Sequence, residues 1–149
     1  MGNPEAFMVQ EEACELESWD VPGVGKVTWR TLLSGDRTPT SGLTMGIAEV
    51  EPWRDNNLFV PHRHAAAEVY YILAGEGVVT IAGVDYPVRP GSTLFIPGNT
   101  WHGARSTGSA VLRLLYAFAV DSFTDVVYEF GVPAGDMVAA ISVRSSASS

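Results

Sequence analysis

Apolar and polar residues alternate with a period of two through much of the chain. Leu112, Leu114, Tyr116 and Phe118 fall on one side of a candidate strand, and Val27, Trp29, Thr31 and Leu33 share a side of another. Leu43, Met45 and Ile47 do the same in a third. The segments 26–33, 43–50, 68–75, 77–83, 85–91, 92–98 and 110–120 are rich in β-branched and aromatic residues, with Gly and Pro between them. Only the stretch around 4–18, with FMVQEEACELE, has room for a helical turn or two, and strand or coil fits there as well. Many short strands without a long helix predict an all-β sandwich or barrel.

Composition sharpens this picture. With 46% hydrophobic and 17% charged positions in 149 residues, the chain suffices for one domain with a real core. The expected organisation is an acidic N-terminal extension over 1–19, a barrel over 20–132 and a C-terminal tail over 133–149, whose SSASS ending predicts disorder. No apolar run approaches the roughly 18–20 residues of a membrane span. The N-terminus lacks the basic and apolar regions of a secretory signal, and Ala6 stands where a myristoylation pattern wants Ser or Thr. A lone Cys14 cannot form an intrachain disulfide, so the expected compartment is the cytoplasm.

The net charge of −8 is uneven, because Glu5, Glu11, Glu12, Glu15, Glu17 and Asp20 lie in the first 20 residues with no Lys or Arg. The remaining chain is close to balance and offers no basic stripe for a phosphate backbone, so nucleic acid is not an expected partner. The acidic segment itself reads as a solvated one.

The chain has three histidines, His62, His64 and His102. In an extended strand His62 and His64 project to the same face, about 6–7 Å apart, as suits two neighbouring ligands of one metal ion. Glu68 and Tyr70 share a face if 68–73 is a strand, while the intervening AAA can reset the parity between the two pairs. A carboxylate or imidazole buried alone in a barrel is strongly disfavoured, and coordination or pairing removes that penalty. Three imidazoles and a carboxylate make a mixed N/O site for a divalent transition metal ion: Fe(II), Mn(II), Ni(II), Zn(II) or Cu(II).

His62, His64, Glu68 and Gly75 read HxHxxxExxxxxxG, which resembles the first conserved motif of the cupins. GSTLFIPGNTWH, with Gly91, Pro97 and His102, resembles the second. The two motifs together cover about 50 residues, and the flanking strands extend the likeness over most of the chain. Asn56, Asn99 and Ser106 stand where the family usually has Gly, Gly and Asn, and EPWRDNN (51–57) replaces a commoner Gly-containing turn. The resemblance implies a jelly-roll barrel with one metal ion bound inside by His62, His64, Glu68 and His102. It also implies a homodimer, with Val69 and Tyr71 as interface residues.

Tyr70 should face the same interior as Glu68, where a bound cation lowers a phenol's pKa enough for phenolate to act as a base. Trp29, Trp101, Tyr116 and Phe118 are candidates to line the cavity, and Arg30 to meet a substrate carboxylate. Arg63 should point away from its flanking histidines. The HxHxxxExY pattern, the distal His102 and Tyr128 in DSFTDVVYEF are similar to the small cupin lyases that act on dimethylsulfoniopropionate. In those enzymes a metal holds the substrate carboxylate and a tyrosinate removes the α-proton. This implies a metal-dependent lyase or isomerase of a small organic acid, with Tyr70 and Tyr128 as catalytic candidates. A non-haem iron dioxygenase and a non-catalytic ligand-binding cupin are the competing readings.

Overall fold

The computed structural model describes residues 5–18, 27–52, 60–131 and 137–142. Among them are twelve strands: β1 Leu16–Ser18, β2 Val27–Leu33, β3 Thr44–Val50, β4 His62–Arg63, β5 Glu68–Ala74, β6 Gly77–Ile81, β7 Val84–Val88, β8 Thr93–Ile96, β9 His102–Ser106, β10 Leu112–Phe118, β11 Val127–Gly131 and β12 Met137–Ser142. They pair antiparallel in two six-stranded sheets, ordered β1-β2-β3-β10-β5-β8 and β12-β11-β4-β9-β6-β7. This is the all-β jelly roll expected from the sequence. No described helix is long and apolar enough to cross a membrane.

All seven expected strands are present, with ends within a few residues of those predicted. Strand pairing reaches into both terminal segments. Leu16–Ser18, placed in the N-terminal extension, pairs with β2, and Met137–Ser142, placed in the tail, pairs with β11. The barrel therefore draws a strand from each terminal segment. Asn56, most of EPWRDNN and the SSASS ending lie outside the described residues.

Register sorts the inner face of the first sheet into layers. Glu68, Phe118 and Thr44 form one layer; Tyr70, Tyr116, Gly46 and Thr31 the next; Ile72, Leu114, Ala48 and Trp29 the third. Leu112, Val50 and Val27 follow. The lower layers are apolar, and each fully buried side chain there, such as Ile72 or Leu112, contributes about 1.5–3 kcal/mol.

One expected face needs correction, and another turns out to be the outer one. The inward side of β3 carries Thr44, Gly46, Ala48 and Val50; Met45 and Ile47 share the opposite face as expected, with Ile47 buried there and Leu43 exposed. A chain with small residues inward and large ones outward inverts the usual sign of the alternation, because Tyr116 from β10 fills the space over Gly46. In β2 an irregularity between Thr31 and Leu33 breaks the expected face, leaving Trp29 and Thr31 buried. β10 alternates as expected, with Leu112, Leu114, Tyr116 and Phe118 all buried. Tyr71 points outward, exposed beside Leu73 and Phe95.

Candidate metal centre

Four elements bring the site together. His62 on β4 is the direct cross-strand partner of His102 on β9, so the two imidazoles start side by side, with ring centroids 4.3 Å apart. His64 follows β4 in the loop before β5, and Glu68 opens β5. That loop is held by the turn Pro97-Gly98-Asn99, where the Asn99 N–H donates to the His64 carbonyl at 2.7 Å. A Cβ at Gly98 would lie 2.2 Å from the Ala65 carbonyl oxygen, so only glycine permits this approach. Asn99 adopts φ 58°, a left-handed conformation asparagine tolerates, and so substitutes for the glycine usual there. Ser106 is buried and donates from Oγ to the Ala110 carbonyl at 2.8 Å.

One ligand atom from each of His62, His64, Glu68 and His102 lies within 4.8 Å of the others. His64, Glu68 and His102 are buried, and His62 is half-buried. His64 Nδ1 faces the Ala66 carbonyl at 2.8 Å and His102 Nδ1 the Thr100 carbonyl at 2.7 Å. A carbonyl only accepts, so both Nδ1 atoms carry the proton and donate, leaving Nε2 lone pairs facing inward. Those Nε2 atoms lie 3.3 and 3.1 Å from Glu68 Oε1, and His64 Nε2 has no hydrogen-bond partner. Acceptors pointing at an acceptor in a buried space are relieved by a cation between them. The four residues therefore fit a divalent metal ion, with backbone carbonyls fixing two imidazoles as ligating histidines require.

Burial, with the neighbouring His102 and His64, holds the His62 imidazole well below its usual range. It stays neutral, the form that ligates a metal. Burial also pushes the Tyr70 phenol well above 10.0, with the Glu68 carboxylate adding to the effect and accepting its hydrogen bond. Tyr128 is raised in the same way, first by burial and then by Glu68. Both tyrosines are neutral in the metal-free chain.

The expected cavity residues divide. The Tyr70 ring lies 6.1 Å from that of His102, Tyr128 lies 5.0 Å from His64 and 5.3 Å from His62, and Phe118 lies 5.1 Å from His64. Tyr116 is one layer further in, stacked on Phe123. Trp29 is core packing, edge-on to Phe123 at 6.1 Å. Trp101 does not turn inward: Arg63 covers its ring at 4.6 Å, and Arg63, facing away from the histidines as expected, pairs with Glu129. Arg30 is also not a cavity residue, because on β2 it alternates with the inward Trp29 and Thr31 and donates to the Cys14 carbonyl. Phe130, 6.0 Å from His62, and Phe123 were not anticipated. Each contacts the site from a segment whose path over the barrel no local pattern reveals.

Three histidines and a glutamate converging inside a barrel of two antiparallel sheets suggest a transition-metal site of the cupin class. The chain belongs to the cupin superfamily: residues 49–118 match the cupin domain family. It is 38% identical over 122 residues to the dimethylsulfoniopropionate lyase DddW of Ruegeria pomeroyi, covering 82% of this chain and 78% of that protein. Among solved structures it resembles the polyketide cyclase RemF from Streptomyces resistomycificus, at 20% identity and TM-score 0.66 over 94% of this chain and 87% of the other. It also resembles a predicted oxalate decarboxylase from Thermotoga maritima, at 22% identity and TM-score 0.62 over 76% and 99% of the two chains. The similarity to DddW supports a cupin enzyme, and the structural likenesses, at low identity, show the fold.

Proposed function

We propose that the protein is a metal-dependent lyase of a small organic acid, of the kind that eliminates a β-onium group as dimethylsulfoniopropionate lyases do. The observation that carries this reading is the placement of two buried phenols, Tyr70 and Tyr128, against the His62, His64, Glu68 and His102 cluster. Those four residues would hold the ion, which supplies positive charge to bind the substrate carboxylate and to offset charge developing on it. With the bound ion's positive charge lowering its pKa, Tyr70 would lose its own proton and, as the phenolate, take the α-proton. The electron pair of the C–H bond becomes the new C=C bond, and the C–S bond breaks with its pair on sulfur, giving an unsaturated acid and a neutral sulfide. Phe118 and Tyr128 offer ring faces to the positive sulfur.

The test uses protein whose metal content is measured as purified, incubated without oxygen with dimethylsulfoniopropionate, with acrylate and dimethyl sulfide measured. Turnover without oxygen is expected; turnover that demands oxygen would instead support the dioxygenase. Tyr70→Phe is expected to retain the metal and lose activity by about 10²–10⁴-fold. Unchanged turnover in that variant removes Tyr70 as the base. The homodimer is also a proposal, supported by the exposed Tyr71, Leu73 and Phe95 on the outer sheet face. A monomer mass by light scattering would end it.

A further inference from the structure

The loop between β2 and β3 grips the segment that leads from β10 to β11. The Gly35 N–H donates to the Asp121 carbonyl at 2.6 Å, the Gly42 N–H to Asp121 Oδ1 at 2.6 Å, and Thr44 Oγ1 to the Val120 carbonyl at 3.0 Å. Asp36 lies at the middle of this clasp. Its Oδ1 accepts from Ser34 Oγ and, at 2.8 Å, from Ser122 Oγ. Both serines are buried, whereas the Asp36 side chain is 29% exposed. Arg37 anchors the carboxylate from its other side. Its Nε lies 3.5 Å from Asp36 Oδ2 and its Nη2 2.8 Å from Oε1 of Glu17, which is 2% exposed and accepts from Thr31 at Oε2.

These bonds fix the direction of each hydroxyl. A serine hydroxyl has one proton, and Asp36 draws it from both serines; for Ser34 it is a nearer acceptor than Ser122 Oγ at 3.5 Å. Both serine oxygens are then left to accept from the turn that follows. Ser34 Oγ accepts from the buried Phe123 N–H at 2.8 Å, and Ser122 Oγ caps the 3₁₀ turn Phe123–Asp125 by accepting from the Thr124 N–H at 3.2 Å. Leaving the Phe123 N–H without an acceptor would be costly in that buried position. Phe123, 3% exposed, stands between the clasp and the metal centre, with its ring edge-on to Tyr128 at 6.2 Å and 6.0 Å from Phe118. Those two rings are the ones that lie 5.0 and 5.1 Å from His64. We propose that Asp36 is a positioning residue: by taking the protons of Ser34 and Ser122 it seats Phe123, and through Phe123 it sets the Tyr128 ring against His62 and His64. A carboxylate on a loop outside the site thereby tunes affinity for the positive end of the substrate. The inference rests on the reading of the site as one for an onium acid, and it adds the residue that holds Tyr128 in place for it.

The first experiment needs neither metal nor turnover. In protein labelled with 3-fluorotyrosine, the fluorine resonances of Tyr128 and Tyr70 are assigned from Tyr128→Phe and Tyr70→Phe. Asp36→Ala is expected to shift the Tyr128 resonance by more than its linewidth and to leave that of Tyr70 in place, with circular dichroism confirming the fold. Asp36→Asn, which keeps an acceptor oxygen, is expected to hold Tyr128 near its parent position. A Tyr128 resonance unmoved by Asp36→Ala, or an equal shift of both tyrosines, overturns the inference. So does a shift in Asp36→Asn as large as that in Asp36→Ala. Should Asp36→Ala not fold, Ser122→Ala is read in its place, with the same expected and opposing outcomes. The second experiment compares charged and uncharged acids of one shape. Asp36→Ala is expected to raise KM for dimethylsulfoniopropionate about fivefold, with kcat and the inhibition constant of 4-methylpentanoate, its uncharged carbon isostere, each changing less than about twofold. Equal rises for the two acids overturn the inference as well. Should the parent turn over no onium acid, the lyase reading fails by itself, and the fluorine spectra alone decide whether Asp36 positions Tyr128.

Discussion

At the metal centre, three imidazoles and a carboxylate point lone pairs into one space, and two of the imidazoles are locked in that orientation by backbone carbonyls. Around Glu17, deeper in the barrel, the carboxylate meets a hydroxyl proton at Oε2 and a guanidinium at Oε1, the latter an ion pair in which Oε1 accepts no hydrogen bond. Both clusters are buried in the same barrel. The first presents acceptors with no counter-charge from the protein and fits a cation; the second carries its own counter-charge in the Arg37 guanidinium, although Glu17 Oε1 accepts no hydrogen bond. Burial of polar groups is therefore not by itself a mark of a ligand site. What distinguishes the two is whether the buried charge has its counter-charge within the chain.

The comparison can be broken most directly at the ligands. His102→Ala is expected to abolish stoichiometric metal binding, measured by elemental analysis of the purified variant, because it leaves three ligands and frees Glu68 from its nearest imidazole. Retention of a full metal equivalent would contradict the ligand set. Glu17→Ala should leave metal content unchanged yet lower the unfolding free energy by about 3 kcal/mol in urea titration. The loss sits at the lower end for a broken buried pair because Arg37 is a quarter exposed and keeps Asp36 at 3.5 Å. A variant as stable as the parent would show that the Glu17 cluster is not the rigid element described here.

A third expectation concerns pH and the metal-free chain. His62 is depressed in the fold, so the unfolded state takes up its proton more readily. Stability is full above the ordinary value of 6.5 and falls as pH drops below it. Tyr70 and Tyr128 are raised in the fold, so their contribution is full below 10.0 and is lost as pH rises above it. Thermal unfolding across this range should therefore show its highest midpoints between these limits, and metal should protect the acid side. A midpoint that rises from pH 6.5 to pH 5 would contradict the placement of His62. The smallest effect is expected beside Glu17: Leu16→Ser should change stability by no more than about 0.5 kcal/mol, since Leu16 faces solvent. A large loss there would mean that the strand is turned the other way.

The two clusters were unequally legible in the chain. His62, His64, Glu68 and His102 could be read because their types are rare, their spacing repeats a known motif and strand parity aligns them in pairs. Gly98 and Pro97 fell within that same motif, so the turn that locks His64 to the β9 side was legible too. Glu17 was not. In a strand reading Leu-Glu-Ser, alternation and hydropathy both turn the leucine inward, and the structure does the reverse. The same reversal occurs on β3, where Gly46 faces in and Met45 out. Trp101 and Arg30 were assigned to the cavity on chemical type, and the parity of β2 and the packing of Arg63 on Trp101 placed both elsewhere.

The sequence by itself determined the all-β class, the central strands, and the identity of the four residues that converge, because each of these rests on local period or motif spacing. Only the tertiary structure decided that strands from both terminal segments join the sheets. Only it buried Glu17 near Tyr116 and set Phe123 and Phe130 around the centre. The reason is that a strand's inner face is chosen by what fills the space opposite it. For Glu17 that filling comes from Thr31 and Arg37, and for Gly46 from Tyr116, 70 positions further along the chain.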